Sequence, residues 1–134
     1  MATLLAHITV KTGSEAAFEA IARTLYEQTH SLESEVLQYQ YWRGAAPSSY
    51  YSLLSFADHR AFITHQTSDH HEEASPKIGE LVADLRLEWV DPIEGASSLP
   101  PTDMQTAVDD ADALTETYTR RFAAEVADWW LGLR

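Results

Sequence analysis

The order in which two periodicities follow one another limits the fold of this chain more than any other feature. Residues 4–10 (LLAHITV) alternate apolar and polar side chains as a half-buried strand does, and Thr12-Gly13 ends the run. Ser14, with Glu15 behind it, opens a helix in which Phe18, Ile21, Leu25 and Leu32 recur near helical spacing. Residues 36–43 (VLQYQYWR) alternate again. A turn at 44–49 (GAAPSS) leads into a further strand at 50–56, so the two read as an antiparallel hairpin. Asp58 caps a helix to about Thr67 and Ser68 caps the next, in which Pro76 marks a kink or a restart. Residues 85–90 (LRLEWV) close the series. The result is β-α-β-β-α-β over residues 1–92, a ferredoxin-like α+β domain. Such a sheet carries helices on one face and needs a cover on the other.

Residues 95–102 (GASSLPPT) read as a linker, dividing the chain into 1–92 and an extension at 93–134. In the extension Leu114, Tyr118, Phe122, Val126, Trp130 and Leu133 form a stripe at helical spacing, which Trp129 widens. One continuous amphipathic helix is expected there, docked across its own domain or a partner subunit, because isolated helices of that length are marginal. The 134 residues are 45% hydrophobic, enough for one core, and the absence of cysteine excludes disulfides and thiolate chemistry. A net charge of -12 argues against nucleic acid as a partner, since phosphate binding needs a basic surface. With no signal-like N-terminus and no membrane-length apolar run, a cytoplasmic protein without membrane association is expected.

The strand alternations also sort side chains onto faces. Under the helices the reading places Ala6/Ile8/Val10, Leu37/Tyr39/Tyr41, Tyr51/Leu53/Ser55 and Leu85/Leu87/Trp89. The opposite face then collects His7, Thr9, Gln38, Gln40, Trp42, Tyr50, Ser52, Leu54, Phe56, Arg86 and Glu88. Aromatic walls with a few polar groups are the composition of a small-molecule pocket.

Four of the six histidines fall between residues 59 and 71. Histidine titrates near neutral pH, so such a cluster points to proton transfer or metal binding. For metal, His65 and Asp69 are four apart and His70, His71 and Glu72 are adjacent, but the cap at Ser68 separates the groups and adjacent residues diverge. There is no His-Glu-x-x-His pattern, and no metal is expected. His59 and His71 are expected to face solvent, and His70 to stay neutral beside a helix N-terminus.

Phe56-x-Asp58 followed by His65-x-x-Ser68-x-His70 resembles a signature of the antibiotic biosynthesis monooxygenase family, within the dimeric α+β barrel superfamily. The strand end Val10-Lys11-Thr12-Gly13 and the element order add to the resemblance, which spans about residues 4–92. Where the family typically has Pro and Phe the chain has Asp69 and His71, and its strand-end Trp and the Glu two residues earlier are Phe56 and Leu54. The resemblance implies a homodimer whose sheets close into a barrel, and oxidation of a small aromatic, quinol-like substrate by dioxygen with no metal or other cofactor. It implies His65 or His70 as proton acceptor, His7, Gln40 and Arg86 as polar partners, and Trp42, Tyr50 and Phe56 as walls for the substrate. Haem-degrading relatives of the barrel carry a first-strand Asn and a third-strand terminal Trp, and this chain has neither. The competing expectation is a non-catalytic dimeric barrel that binds a small hydrophobic ligand.

Overall fold

In a computed structural model, residues 1–105, 109 and 111–134 are described. The elements follow as β1 (Ala2–Val10), α1 (Glu15–Leu32), β2 (Val36–Arg43), β3 (Ser49–Phe56), α2 (His59–Gln66), α3 (Asp69–Leu81) and β4 (Val82–Trp89), then α4 (Ala113–Arg121) and α5 (Asp128–Leu131). The strands form one antiparallel sheet in the order β2-β3-β1-β4, the ferredoxin-like topology expected from the element order. Its core joins Leu4, Ala6, Ile8 and Val10 of β1 to Phe18, Ala22 and Leu25 of α1 and to Phe62 and Ile63 of α2.

Local signals set the boundaries. The Asp58 carboxylate accepts from Ala61 N–H at 2.7 Å and starts α2, while the Ser68 hydroxyl accepts from His71 N–H at 3.3 Å and starts α3. Ser14 precedes α1 without a side-chain cap; instead the Glu15 carboxylate accepts from Gly13 N–H at 2.8 Å. The restart expected at Pro76 does not occur, and α3 runs through it to Leu81.

Three expectations are corrected. In β3 the faces are exchanged: Tyr50, Ser52, Leu54 and Phe56 pair with Ile8, Ala6, Leu4 and Ala2 and lie under the helices, and Tyr51 and Leu53 point the other way. In β2 the register shifts between Val36 and Gln38, so Leu37 is exposed rather than buried under a helix. The extension is not one helix, for α4 ends at Arg121. The Phe122 carbonyl, which a continuing helix would use, accepts from His59 Nε2 at 2.9 Å, and Ala124 N–H donates to the Gln105 side chain at 2.8 Å. Tertiary hydrogen bonds thus divert the backbone groups that the apolar stripe alone would have left to a helix.

Candidate functional site

An enclosed polar constellation is built from three element ends. Glu33 is the C-cap residue of α1, His65 lies in the last turn of α2, and His70 lies in the first turn of α3. One oxygen of Glu33, Oε1, accepts from His65 Nδ1 at 2.8 Å and from His70 Nε2 at 2.7 Å. His65 is fully buried, and Glu33 and His70 nearly so. A carboxylate at a helix C-terminus opposes the helix dipole, so Glu33 depends on the two imidazoles for compensation. Ser68 ties the group together: its hydroxyl donates to the His65 carbonyl at 2.7 Å and lies 3.2 Å from His70 Nε2.

With Nδ1 engaged by Glu33, Nε2 is the remaining polar atom of the His65 ring. His65 Nε2 is buried and has no hydrogen-bond partner among the described residues. The ring is wedged between Tyr39 (4.9 Å) and Phe56 (5.1 Å), with His71 edge-on at 4.9 Å. His71 is mostly enclosed, contrary to the solvent-facing position expected for it. Burial, reinforced by the neighbouring His65 imidazole, pushes its pKa down to about 4, so it is neutral at physiological pH. His59 is likewise buried, stacked on Trp89 and bonded to Phe122, whereas a surface position was expected.

A cavity of about 660 Å³ lies between the helix-bearing face of the sheet and the helices. Tyr39, Tyr41 and Ser52 line it from the sheet, His71 from α3, and Tyr118 and Phe122 from the extension. Burial pushes Tyr41 up to about 12, so its hydroxyl stays protonated. The hydroxyl of Ser52 and Nδ1 of His71 are buried without partners among the described residues, in a lining that is otherwise aromatic and aliphatic with a few polar and charged side chains such as Asp84 and Arg121. His65 and His70 stand behind this wall, and His70 borders only a smaller hollow between α1 and α3.

Apart from His65 and His70, the residues singled out from the sequence fall into three places. Phe56 is fully buried against Phe62 and His65. Gln40, Trp42 and Tyr50 border a groove of about 690 Å³ along α1 and β2. There the Arg43 guanidinium and the Tyr50 hydroxyl hold Glu19 down to about 2. His7 and Arg86 lie on the opposite sheet face, where both bond Glu88 at 3.0 Å. The residue missed is Glu33. It is 32 and 37 positions from its two partners, and its one sequence signal is an acidic side chain at a helix end that favours cations. Glu33, His65 and His70 place three potential metal-ligand atoms within 4.8 Å of one another, but the two hydrogen bonds already account for the geometry.

The sequence model of the antibiotic biosynthesis monooxygenase family matches residues 1–77. Among solved structures, a Caulobacter crescentus protein named for the same family is 24% identical, with a TM-score of 0.66 over 69% of this chain and 90% of its own. A Pseudomonas aeruginosa protein is also 24% identical, with a TM-score of 0.62 over 66% and 90%. A Mycobacterium tuberculosis protein at 18% identity gives 0.65 over 72% and 98%. At these identities the likeness speaks to the fold alone. A search of curated proteins returns no match. No helix among the described residues is long and apolar enough to cross a membrane.

Proposed function

Because the chain belongs to the antibiotic biosynthesis monooxygenase family, we propose that it oxidises a small aromatic, quinol-like substrate with dioxygen in the cavity between sheet and helices. The observation that carries this reading is the wall itself: aromatic surface, a hydroxyl and a neutral imidazole with unpartnered polar atoms, backed by a buried histidine anchored on a carboxylate. An electron-rich phenolate reduces dioxygen directly once it is deprotonated and shielded from water. One oxygen atom enters the substrate and the other leaves as water, so the substrate supplies both the two electrons and the two hydrogens. No metal or other cofactor is needed in this scheme.

In this reading His71 Nδ1 accepts the substrate hydroxyl's hydrogen bond and takes its proton, and the His65 ring packed edge-on against His71 holds that imidazole in place. Glu33 fixes the His65 ring through Nδ1, and His70 positions Glu33 from its other side. The sheet face away from the helices exposes Trp42 and Tyr51 and leaves Leu5 and Leu53 half-buried. We assign that face to a second copy of the chain in a homodimer, with His7 and Arg86 near the contact. The groove bearing Gln40, Trp42 and Tyr50 has no part in the proton route.

The competing reading, ligand binding without turnover, has one observation in its favour: His65 and His70 do not themselves line the cavity. Oxygen uptake with a panel of hydroquinones, in the presence of a chelator and against anaerobic controls, separates the two. The monooxygenase reading expects uptake that His65→Ala slows by roughly 100-fold, the typical range for losing a group of the proton-transfer machinery. Uptake unchanged in His65→Ala removes the proposed route, and no uptake with any quinol leaves the binding reading.

A further inference from the structure

The extension lies beyond the residues matched by the family, yet it forms part of the same cavity. Tyr118, Arg121, Phe122 and Glu125 line it together with Tyr41 and His71. We propose that this extension is the specificity-determining wall of the site, with Phe122 and Tyr118 setting the size of the planar aromatic it accepts. The inference rests on reading the cavity as a ligand site.

Tyr118 and Phe122 form a plate. Their rings are 5.8 Å apart and inclined by only 9°. The plate packs against the core and is also held in place by specific contacts. The Phe122 carbonyl accepts from the buried His59, its ring meets Phe62 edge-on at 5.8 Å, and the Tyr118 hydroxyl donates to Glu72. None of the residues of α4 is fully buried. Tyr118 and Phe122 are half-buried: they pack against the edge of the core and also line the cavity, so the two aligned rings serve both as packing and as wall.

The opposite wall contributes Tyr39 and Tyr41 from β2. Both phenols are held protonated by burial, so this wall stays uncharged at neutral pH, while Asp84, Arg121 and Glu125 bring charge elsewhere in the lining. The unpartnered atoms on Ser52 and His71 then suit a ligand bearing oxygen substituents on a flat ring system. Removing the Phe122 ring enlarges the space between the two aromatic walls, and a larger ring at that position reduces it.

Fluorescence titration with 2-naphthol and with the larger 1-hydroxypyrene tests this on the full chain. The ratio of the two dissociation constants is the readout. Phe122→Ala is expected to shift that ratio toward 1-hydroxypyrene by roughly tenfold, within the range that pocket-size changes produce, and Phe122→Trp to shift it the other way. Circular dichroism checks that both variants fold, and the tryptophan variant preserves the aromatic contacts should the alanine variant loosen the extension. A ratio unchanged in both variants, with wild type binding the probes, overturns the inference while leaving the cavity reading intact. Failure of wild type to bind either probe overturns the cavity reading itself, and this inference with it.

Discussion

Replacing Glu33 with alanine should cost this small protein a large share of its stability. The carboxylate oxygen accepts two hydrogen bonds, at 2.8 Å from His65 and 2.7 Å from His70. Hydrogen bonds to a charged group contribute about 1.5–3 kcal/mol each, and removing one partner of a buried cluster leaves the others unsatisfied. The side chain of Glu33 is only 12% exposed and that of His65 is 0% exposed, so water cannot substitute fully. Relief of the conflict with the dipole of α1 returns about 0.5 kcal/mol. The net expectation is a loss of about 3–5 kcal/mol for Glu33→Ala and about half that for Glu33→Gln, which keeps an acceptor oxygen. Urea denaturation followed by tryptophan fluorescence reads it out. At an m-value of about 2 kcal/mol/M, the alanine variant's midpoint should fall by about 2 M. A double-mutant cycle with His70→Ala should give a coupling above about 1 kcal/mol. A Glu33→Ala midpoint indistinguishable from wild type, or zero coupling, would refute the claim that this carboxylate organises the site.

Two further outcomes follow from the same geometry. His71 is depressed from 6.5 to about 4 in the folded state, so between those pH values the unfolded chain takes up a proton that the folded chain refuses. Its contribution is therefore unfavourable on acidification: stability falls as pH drops from 6.5 to 4, by up to about 3 kcal/mol from this group. His71→Phe should flatten the slope of unfolding free energy against pH in that window, and an unchanged slope would contradict the burial argument. The Arg134 guanidinium bonds both Asp91 oxygens and the Thr102 carbonyl, pinning the end of the chain. Arg134→Ala should speed hydrogen exchange at Trp130 and Leu133, whose amides donate within the last turns, while changing global stability by less than about 1 kcal/mol.

What the sequence displayed, and what it concealed, divides along the distance between partners. Asp58 and Ser68 bond amides three residues away, so their caps could be read directly, and with them the boundary between α2 and α3. The strand order followed from element order because each element is short and strongly periodic. The register of β3 did not, since Tyr50-Tyr51 and Leu53-Leu54 give both faces an apolar side chain, and pairing with β1 alone decides which is buried. His59 and His71 looked like surface residues because their surroundings, Phe122 and Trp89 for one and His65 for the other, come from other elements. The stripe from Leu114 to Leu133 suggested one helix because periodicity ignores His59 and Gln105, whose side chains take over the backbone groups at 122 and 124. Glu33 was invisible as a site residue for the same reason. Within residues 1–92 the local signals thus set which segments become helix or strand, while the extension and the chemistry of the cavity depend on contacts between elements.

The central claim is that the substrate alone supplies the electrons and hydrogens for oxidation in the cavity. Turnover of a hydroquinone under ¹⁸O-labelled dioxygen, with product and water analysed by mass spectrometry, tests it most directly. One labelled atom in the product and one in water per turnover, with no added reductant and with turnover unaffected by chelator, is the predicted result. Label absent from the product, or turnover that requires an external reductant, would contradict it.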